Sequence, residues 1–373
     1  MKTFSIILPC HFGLEAVLKR EVSDLGYEIE RVEDGRVTFV GDADAVCRAN
    51  IHLRTAERVL ICVGRFKAFT YDELFEQVKA CNWEEYIPVD GKFWVTKATS
   101  VNSKLFSPSD IQSIVKKAIV ERMKQNYDVD WFEESGAEYP IRVFFNKDEA
   151  TVCLDTTGDS LHKRGYRTQA GLAPISETLA AALIMLSPWH KDRILLDPFC
   201  GSGTIAIEAA MIAANIAPGM NRSFTAEKWT NFIDRQLWYD AVDEAEENID
   251  KKREPRTLLF AGHGLKTKGI YELVDACSQM SNIKLKMIGT IQDDVKKELY
   301  EKVNNADWFK IFTEGRGKVV TRAKYEIVSD KKKTYMKVTE IPYGVNKLKL
   351  VNSIEDKIQK GILTDIKEVT IKS

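Results

Sequence analysis

The stretch that most constrains the fold is Arg193-Ile194-Leu195-Leu196-Asp197-Pro198-Phe199-Cys200-Gly201-Ser202-Gly203-Thr204. An apolar run ends in an acid, crosses a glycine turn, and continues as Ile205-Ala206-Ile207-Glu208-Ala209-Ala210, a helix-forming composition. Strand, acidic tip, tight turn and helix in that order predict the first unit of a doubly wound sheet, where ligands sit at the carboxyl ends of the strands. Gly201 and Gly203 let the backbone turn sharply and approach a ligand closely. Asp197 is an acceptor suited to the ammonium of a bound amino acid. A bare Gly-x-Gly would be weak, but residues 197–204 between a strand and a helix make a specific signal. Cys200 reads as a small packing residue, because no base that would activate its thiol is evident.

The chain has 373 residues, enough for two or three domains, and its 44% hydrophobic and 29% charged composition is that of a globular protein. Near the start, Leu14, Val17, Leu18, Val22 and Leu25 recur at helical spacing, with Gly26 as the stop. Residues 27–32 and 36–40 read as strands joined at Asp34-Gly35. Ser107 and Pro108 open a helix whose apolar face is Ile111, Ile114, Val115, Ala118 and Ile119. Residues 142–145 and 150–155 read as a hairpin turning through Asn146-Lys147-Asp148-Glu149. Residues 175–186, rich in Ala and Leu, read as a helix. No apolar run reaches the roughly eighteen residues of a membrane span. The apolar part of the first nine residues is too short for a signal peptide. The seven cysteines are scattered and never spaced Cys-x-x-Cys, so neither a disulfide framework nor a metal site is indicated. The expectation is reduced thiols in a cytoplasmic protein.

Charge is uneven. Residues 256–373 hold 23 Lys+Arg against 15 Asp+Glu, although the whole chain is balanced at −1. Such a shift marks either a nucleic-acid surface or pieces of different origin. Lys116, Lys117, Arg122 and Lys124 lie largely off the apolar face of their helix, and form either a solvated surface or an RNA-facing one. Leu161-His162-Lys163-Arg164-Gly165-Tyr166-Arg167 groups three basic side chains, a histidine and an aromatic around one glycine. That composition suits phosphate contact with base stacking, or else a basic surface loop.

Residues 1 to about 253 resemble the bacterial THUMP-domain RNA methyltransferases of the 23S ribosomal RNA guanine-N2 type. The resemblance rests on His11-Phe12-Gly13-Leu14-Glu15, Cys47-Arg48-Ala49-Asn50, Arg54-Thr55-Ala56 and Ser103-Lys104-Leu105-Phe106-Ser107. It continues through residues 161–167, Glu177-Thr178-Leu179-Ala180-Ala181-Ala182, residues 197–204, and Asn215-Ile216-Ala217-Pro218-Gly219. It implies an α+β THUMP-type RNA-binding domain, then an α/β Rossmann-like methyltransferase domain and a mixed α/β tail. S-adenosylmethionine is the cofactor so implied, held by Asp197, Pro198, Phe199, Cys200, Gly201, Ser202, Gly203 and Thr204, with Glu177 and Thr178. RNA, ribosomal RNA by the same resemblance, would be met by His162, Lys163, Arg164, Tyr166, Arg167, Lys104, Lys116 and Lys117.

The pattern then breaks. The second strand of such a domain ends in an acid that grips the ribose, but here residues 258–260 run into Ala261-Gly262-His263-Gly264. The family's Asn-Pro-Pro-Tyr, which holds the target amine, is absent; the nearest string is Glu340-Ile341-Pro342-Tyr343-Gly344. No catalytic residue can be assigned, and the methyltransferase domain looks incomplete. Residues 257 to about 313 resemble a piece of a retaining glycosyltransferase, through Leu258-Leu259-Phe260-Ala261-Gly262, Lys268-Gly269 and Leu285-Lys286-Met287-Ile288-Gly289. Residues 315–373 resemble the A subunit of type II topoisomerases, through residues 315–324 and 339–347. Lys331-Lys332-Lys333 reads as a charged hairpin turn or a nucleic-acid patch.

The expected divisions are therefore 1–160 (RNA-binding), 161–255 (start of the cofactor domain), 256–314 and 315–373. Either the chain is a composite, or it is one divergent protein with a drifted tail. The expected activity is an impaired RNA methyltransferase. The alternatives are a non-catalytic RNA-binding module and, behind it, a glycosyltransferase-like domain.

Overall fold

The computed structural model describes residues 2–166, 174–193, 195, 197, 201–250, 256–261, 283–288, 324–330, 333–340 and 347–360. The chain forms two compact units, Met1–His162 with Ser223–Glu244, and Lys163–Arg222 with Ala245–Ser373.

The first unit starts with β1 (Phe4–Pro9), α1 (Glu15–Asp24), β2 (Ile29–Glu33), β3 (Arg36–Gly41), α2 (Ala43–His52) and β4 (Leu60–Lys67). It continues with α3 (Tyr71–Ala80), β5 (Lys92–Val101), α4 (Pro108–Tyr127), β6 (Glu138–Asn146) and β7 (Glu149–Asp155). All seven strands share one sheet, in the order β2-β3-β1-β4-β7-β6-β5. The β5–β6 ladder is parallel and the others are antiparallel. Strand β4 joins the two halves: it meets β1 through Ile61 opposite Ile6 and Leu60 opposite Ile7, and runs beside β7 for its whole length.

Local chemistry explains these elements. Helix α1 buries Val17, Leu18 and Val22, and the chain leaves through Gly26 at φ +91°, a conformation that needs glycine. Glu33 pairs with Arg36 across Asp34-Gly35, with Gly35 at φ +75°. Asn146 pairs with Glu149, and Lys147 and Asp148 both take left-handed φ in the two-residue turn. Ser107 caps α4 by accepting from the Asp110 amide, and Ile111, Val115, Ala118, Ile119 and Met123 are buried. Full burial of each of the Ile, Val and Met side chains is worth about 1.5–3 kcal/mol.

The chain later returns to this unit. Trp229 stacks on Tyr139, with centroids 4.9 Å apart, and donates its indole N–H to the Glu138 carbonyl at 2.8 Å. Asn231 donates to the Tyr86 carbonyl at 2.7 Å, and Arg48 grips Glu244 with two bonds of 2.7 Å. A single division between 160 and 161 therefore misses a segment, residues 223–244, that packs with the first unit.

In the second unit, α5 (Glu177–Leu186) is capped by Ser176 and packs on α6 (Thr204–Ala214); α7 (Arg235–Glu247), most of which belongs to the first unit, follows in the chain. Further on, β8 (Arg256–Ala261) and β9 (Ile283–Ile288) pair in parallel, as two strands of a doubly wound sheet do. β10 (Lys324–Asp330) and β11 (Lys333–Glu340) form an antiparallel hairpin with Asp330 opposite Lys333, in line with the hairpin reading of the lysine run; residues 331–332 lie outside the described residues. The last described element is α8 (Lys347–Gln359). The strand expected over 193–197 is not formed where the chain is described: Arg193, Leu195 and Asp197 take no strand conformation and have no ladder partner among the described residues, while Ile194 and Leu196 fall outside them. No helix among the described residues is long and apolar enough to cross a membrane.

Candidate functional site

The glycine turn has the predicted backbone. Gly201 and Gly203 adopt φ +53° and +75°, and Gly203 is the left-handed residue that precedes α6. Gly203 has no side chain with which to cap this helix, and the first turn of α6 holds no acid. Ser202 Oγ lies 3.0 Å from Thr204 Oγ1, and Thr204 is buried. A carboxylate suits such a terminus. Asp197 is half-buried, while Pro198, Phe199 and Cys200 lie outside the described residues. Glu177 and Thr178 form the first turn of α5 and are buried at 5% and 0% exposure. The hydroxyl of Thr178 donates to that of Ser176 at 3.4 Å. Because α5 packs on α6, these two residues and the glycine turn belong to one packed pair of helices.

The basic motif behaves differently from its sequence reading. Arg164 and Tyr166 are both 2% exposed and converge on Glu208 of α6. Arg164 Nε donates to Glu208 Oε1 at 3.5 Å, and the Tyr166 hydroxyl donates to the same oxygen at 3.2 Å. Glu208 itself is fully buried, one helical turn beyond Thr204. Gly165 makes this turn possible: its φ is +91°, and a Cβ there would lie 2.3 Å from the Asn221 carbonyl oxygen. The segment is therefore a brace on α6. Arg164 and Tyr166, expected to meet phosphate and base, are turned inward because a buried carboxylate needs charge and hydrogen-bond partners. Lys163 is exposed, with its carbonyl accepting from Arg222 at 2.9 Å. His162 Nδ1 lies 3.3 Å from Glu57, whose other oxygen is 3.4 Å from His11 Nε2. Arg167 lies outside the described residues.

On the first unit, Lys104, Lys116 and Lys117 are exposed. Lys104 Nζ sits 5.0 Å over the Phe69 ring and Lys117 Nζ 5.8 Å over Phe75, while Phe106 beside Lys104 is 79% exposed. Lys116 makes a long pair with Glu134, at 3.9 Å. The face thus carries lysines beside aromatic rings, of which Phe69 and Phe106 are exposed.

Other residues that carry the resemblance turn out to be fasteners. Asn50 donates to Thr156 Oγ1 at 2.9 Å and to the Val46 carbonyl at 3.0 Å. The buried Glu21 carboxylate accepts from the Arg54 and Thr55 amides at 2.8 and 3.1 Å. Burial raises the Glu21 carboxyl above its ordinary range, and these bonds offset only part of that shift. The Arg48–Glu244 contact draws the Glu244 carboxyl below its ordinary range. Glu208 and Glu244 are bracing residues that the sequence does not reveal; nothing local marks either as a partner for an arginine 44 or 196 positions away.

A model described as "RMKL-like, methyltransferase domain" matches residues 164–307, "RlmL ferredoxin-like domain" matches 5–60, and "THUMP domain" matches 68–155. A model of the A subunit of DNA gyrase/topoisomerase IV matches 267–373. The methyltransferase match thus runs past residue 253 and across most of the segment that resembled a glycosyltransferase. "Putative RNA methyltransferase YpsC" of Bacillus subtilis (strain 168) is 54% identical over 252 residues, 67% of this chain, and the match spans 65% of that relative's length. Among solved structures, a possible methylase from Clostridium difficile 630 is 37% identical, covering 92% of this chain and 98% of that one, with a TM-score of 0.71. SMU.472, a putative methyltransferase complexed with SAH, is 34% identical, covering 91% and 98%, with a TM-score of 0.70.

Proposed function

Because the chain belongs to the THUMP-class RNA methyltransferases, we propose that it holds S-adenosylmethionine at the glycine turn and RNA on its first unit, with transfer impaired. The observation that carries this reading is the pair of left-handed glycines leading into the N-terminus of α6, which fits the methionine carboxylate. Asp197 would meet the methionine ammonium, with Gly201, Ser202, Gly203 and Thr204 lining the turn and Glu177 and Thr178 beside it. When bound, S-adenosylmethionine supplies an electrophilic methyl carbon on a positively charged sulfur. The chain's part is to position: the Arg164–Glu208–Tyr166 brace fixes α6, and so fixes the turn. Lys104, Lys116, Lys117, His162 and Lys163 would steer and hold RNA phosphates, with Phe106 offering a stacking face. Cytoplasmic action fits this class of substrate.

The target proposed is an exocyclic guanine nitrogen of 23S ribosomal RNA, attacking in line with the leaving sulfur. Positioning supplies most of the acceleration of such a step. The absence of Asn-Pro-Pro-Tyr removes the groups that would orient the amine, and the residues after β8 (Gly262-His263-Gly264) offer the ribose no acid. A tritiated-methyl assay with unmodified ribosomal RNA tests this: background counts are expected, and turnover comparable to a complete relative would overturn it.

A second reading, a non-catalytic RNA-binding protein in a composite chain, is favoured by the topoisomerase match over 267–373. Under that reading residues 256–314 and 315–373 add no group to the cofactor site, and their deletion leaves cofactor binding unchanged.

A further inference from the structure

Strand β4 places Cys62 directly opposite Cys153 of β7 in an antiparallel ladder. Directly opposed residues have Cα atoms about 4.5–5.5 Å apart, inside the separation that a disulfide spans. The two residues also pack together on one side of the sheet, in a cluster with Ile7, Leu60 and Phe144. A register shift follows immediately, between Cys62 and Gly64, so the strand is kinked beside the pair and has local freedom to adjust.

The two thiols differ. Cys153 is fully buried, whereas Cys62 is half-exposed, so only Cys62 is open to a small reagent. Beside them stands Arg65, whose Nε and one Nη are buried without a hydrogen-bond partner among the described residues, Nε lying 4.0 Å from a Glu149 carboxylate oxygen. Reactive thiols occupy such electropositive, partly exposed surroundings. The hydrogen bond from Cys153, helped by Arg65, holds the Cys62 thiol below its ordinary value, while burial pushes Cys153 well above. Glu30 acts in the opposite sense on Cys62, and Arg36 acts with Arg65 on Cys153.

We propose that Cys62 and Cys153 form a peroxide-sensitive dithiol that closes to a disulfide across β4 and β7. In the first step the Cys62 thiolate attacks a peroxide oxygen, the O–O bond breaks, and the departing oxygen takes a proton to leave as water or an alcohol. Cys62 is then a sulfenic acid. The Cys153 sulfur attacks it, the S–S bond forms, and hydroxide leaves with the Cys153 proton as water. Two thiols are oxidised by two electrons and one peroxide is reduced. Once formed, the bond locks β4, the strand shared by both halves of the sheet, to β7.

Cys81 is the competing partner, since an added Cβ at Gly64 would lie 2.6 Å from its sulfur; burial raises its thiol to about 11. The full chain should be treated with stoichiometric hydrogen peroxide, alkylated, digested and mapped by mass spectrometry. A peptide linking Cys62 to Cys153, a loss of two thiols per chain, and reversal by dithiothreitol are expected. Cys153→Ser should abolish the link and leave Cys62 as sulfenic acid. Linkage of Cys62 to Cys81, sulfinic acid at Cys62 with Cys153 still reduced, or no loss of these thiols would each overturn the proposal.

Discussion

Replacing Arg164 with methionine separates the brace reading from the phosphate-contact reading. In the structure Arg164 and Glu208 have side chains 1% and 0% exposed, and Glu208 Oε2 has no hydrogen-bond partner among the described residues. Arg164→Met therefore leaves a carboxylate buried with only the Tyr166 hydroxyl. Breaking a buried pair from one side costs about 3–5 kcal/mol, and the 3.5 Å separation favours the lower part of that range. Removing both charges, in Arg164→Met with Glu208→Leu, should recover most of the loss, because the desolvation cost disappears as well. The assay is hydrogen exchange at the α6 amides. At about 1.36 kcal/mol per factor of ten, protection should fall by roughly a hundredfold or more in the single variant and by far less in the double variant. RNA affinity at a given salt should change only through folding. Unchanged protection in Arg164→Met, together with a shallower salt dependence of RNA binding, would refute the brace and return Arg164 to the phosphate surface.

Three further outcomes follow from the geometry. Gly165→Ala forces a side chain into a left-handed backbone and onto the Asn221 carbonyl, and should lower stability by about 1–3 kcal/mol in a denaturation series; a neutral result would contradict the turn. Acid should loosen residues 223–244 first. The Arg48 bond holds the Glu244 carboxyl below its ordinary value, so its contribution is present above that value and lost as pH falls through the lowered one. Burial holds His52 below its ordinary value, so it too loses stability as pH falls past the unfolded value. Trp229 fluorescence should therefore change on acidification before far-ultraviolet dichroism does, and Arg48→Gln should remove the Glu244 part. Changing Lys104, Lys116 and Lys117 together to alanine should weaken RNA binding at every sequence and reduce the salt slope by about 0.7–0.9 for each phosphate no longer neutralised, as filter binding across salt concentrations would show.

Short-range chemistry was what the sequence revealed. Gly26, Asp34-Gly35, Ser107-Pro108 and residues 146–149 each punctuate an element where the structure places one. Gly201 and Gly203 announced their left-handed turn, because no other residue adopts it cheaply. Strand β1 was not legible: Phe-Ser-Ile-Ile-Leu-Pro is a short apolar run, and such a run carries no periodicity that separates a buried strand from a helix. That residues 223–244 pack with the first unit is not legible in the sequence, because Trp229 and Glu244 find their partners, Tyr139 and Arg48, across long sequence separations. The same limit misdirected the reading of Arg164 and Tyr166. A basic and an aromatic residue beside a glycine look alike whether they face RNA or a buried carboxylate, and Glu208 was read only as part of a helix.

As proposed above, the chain would keep the methionine end of an S-adenosylmethionine site and lack the ribose end. A lost charge-assisted hydrogen bond is worth roughly 1.5–3 kcal/mol, or about a ten- to hundredfold weakening. Calorimetric titration of the full chain with S-adenosylmethionine, beside the Bacillus relative, measures this directly. Binding weaker by about that factor, and abolished by Asp197→Ala, is the predicted result. Affinity equal to that of the relative, or binding indifferent to Asp197→Ala, would contradict the account.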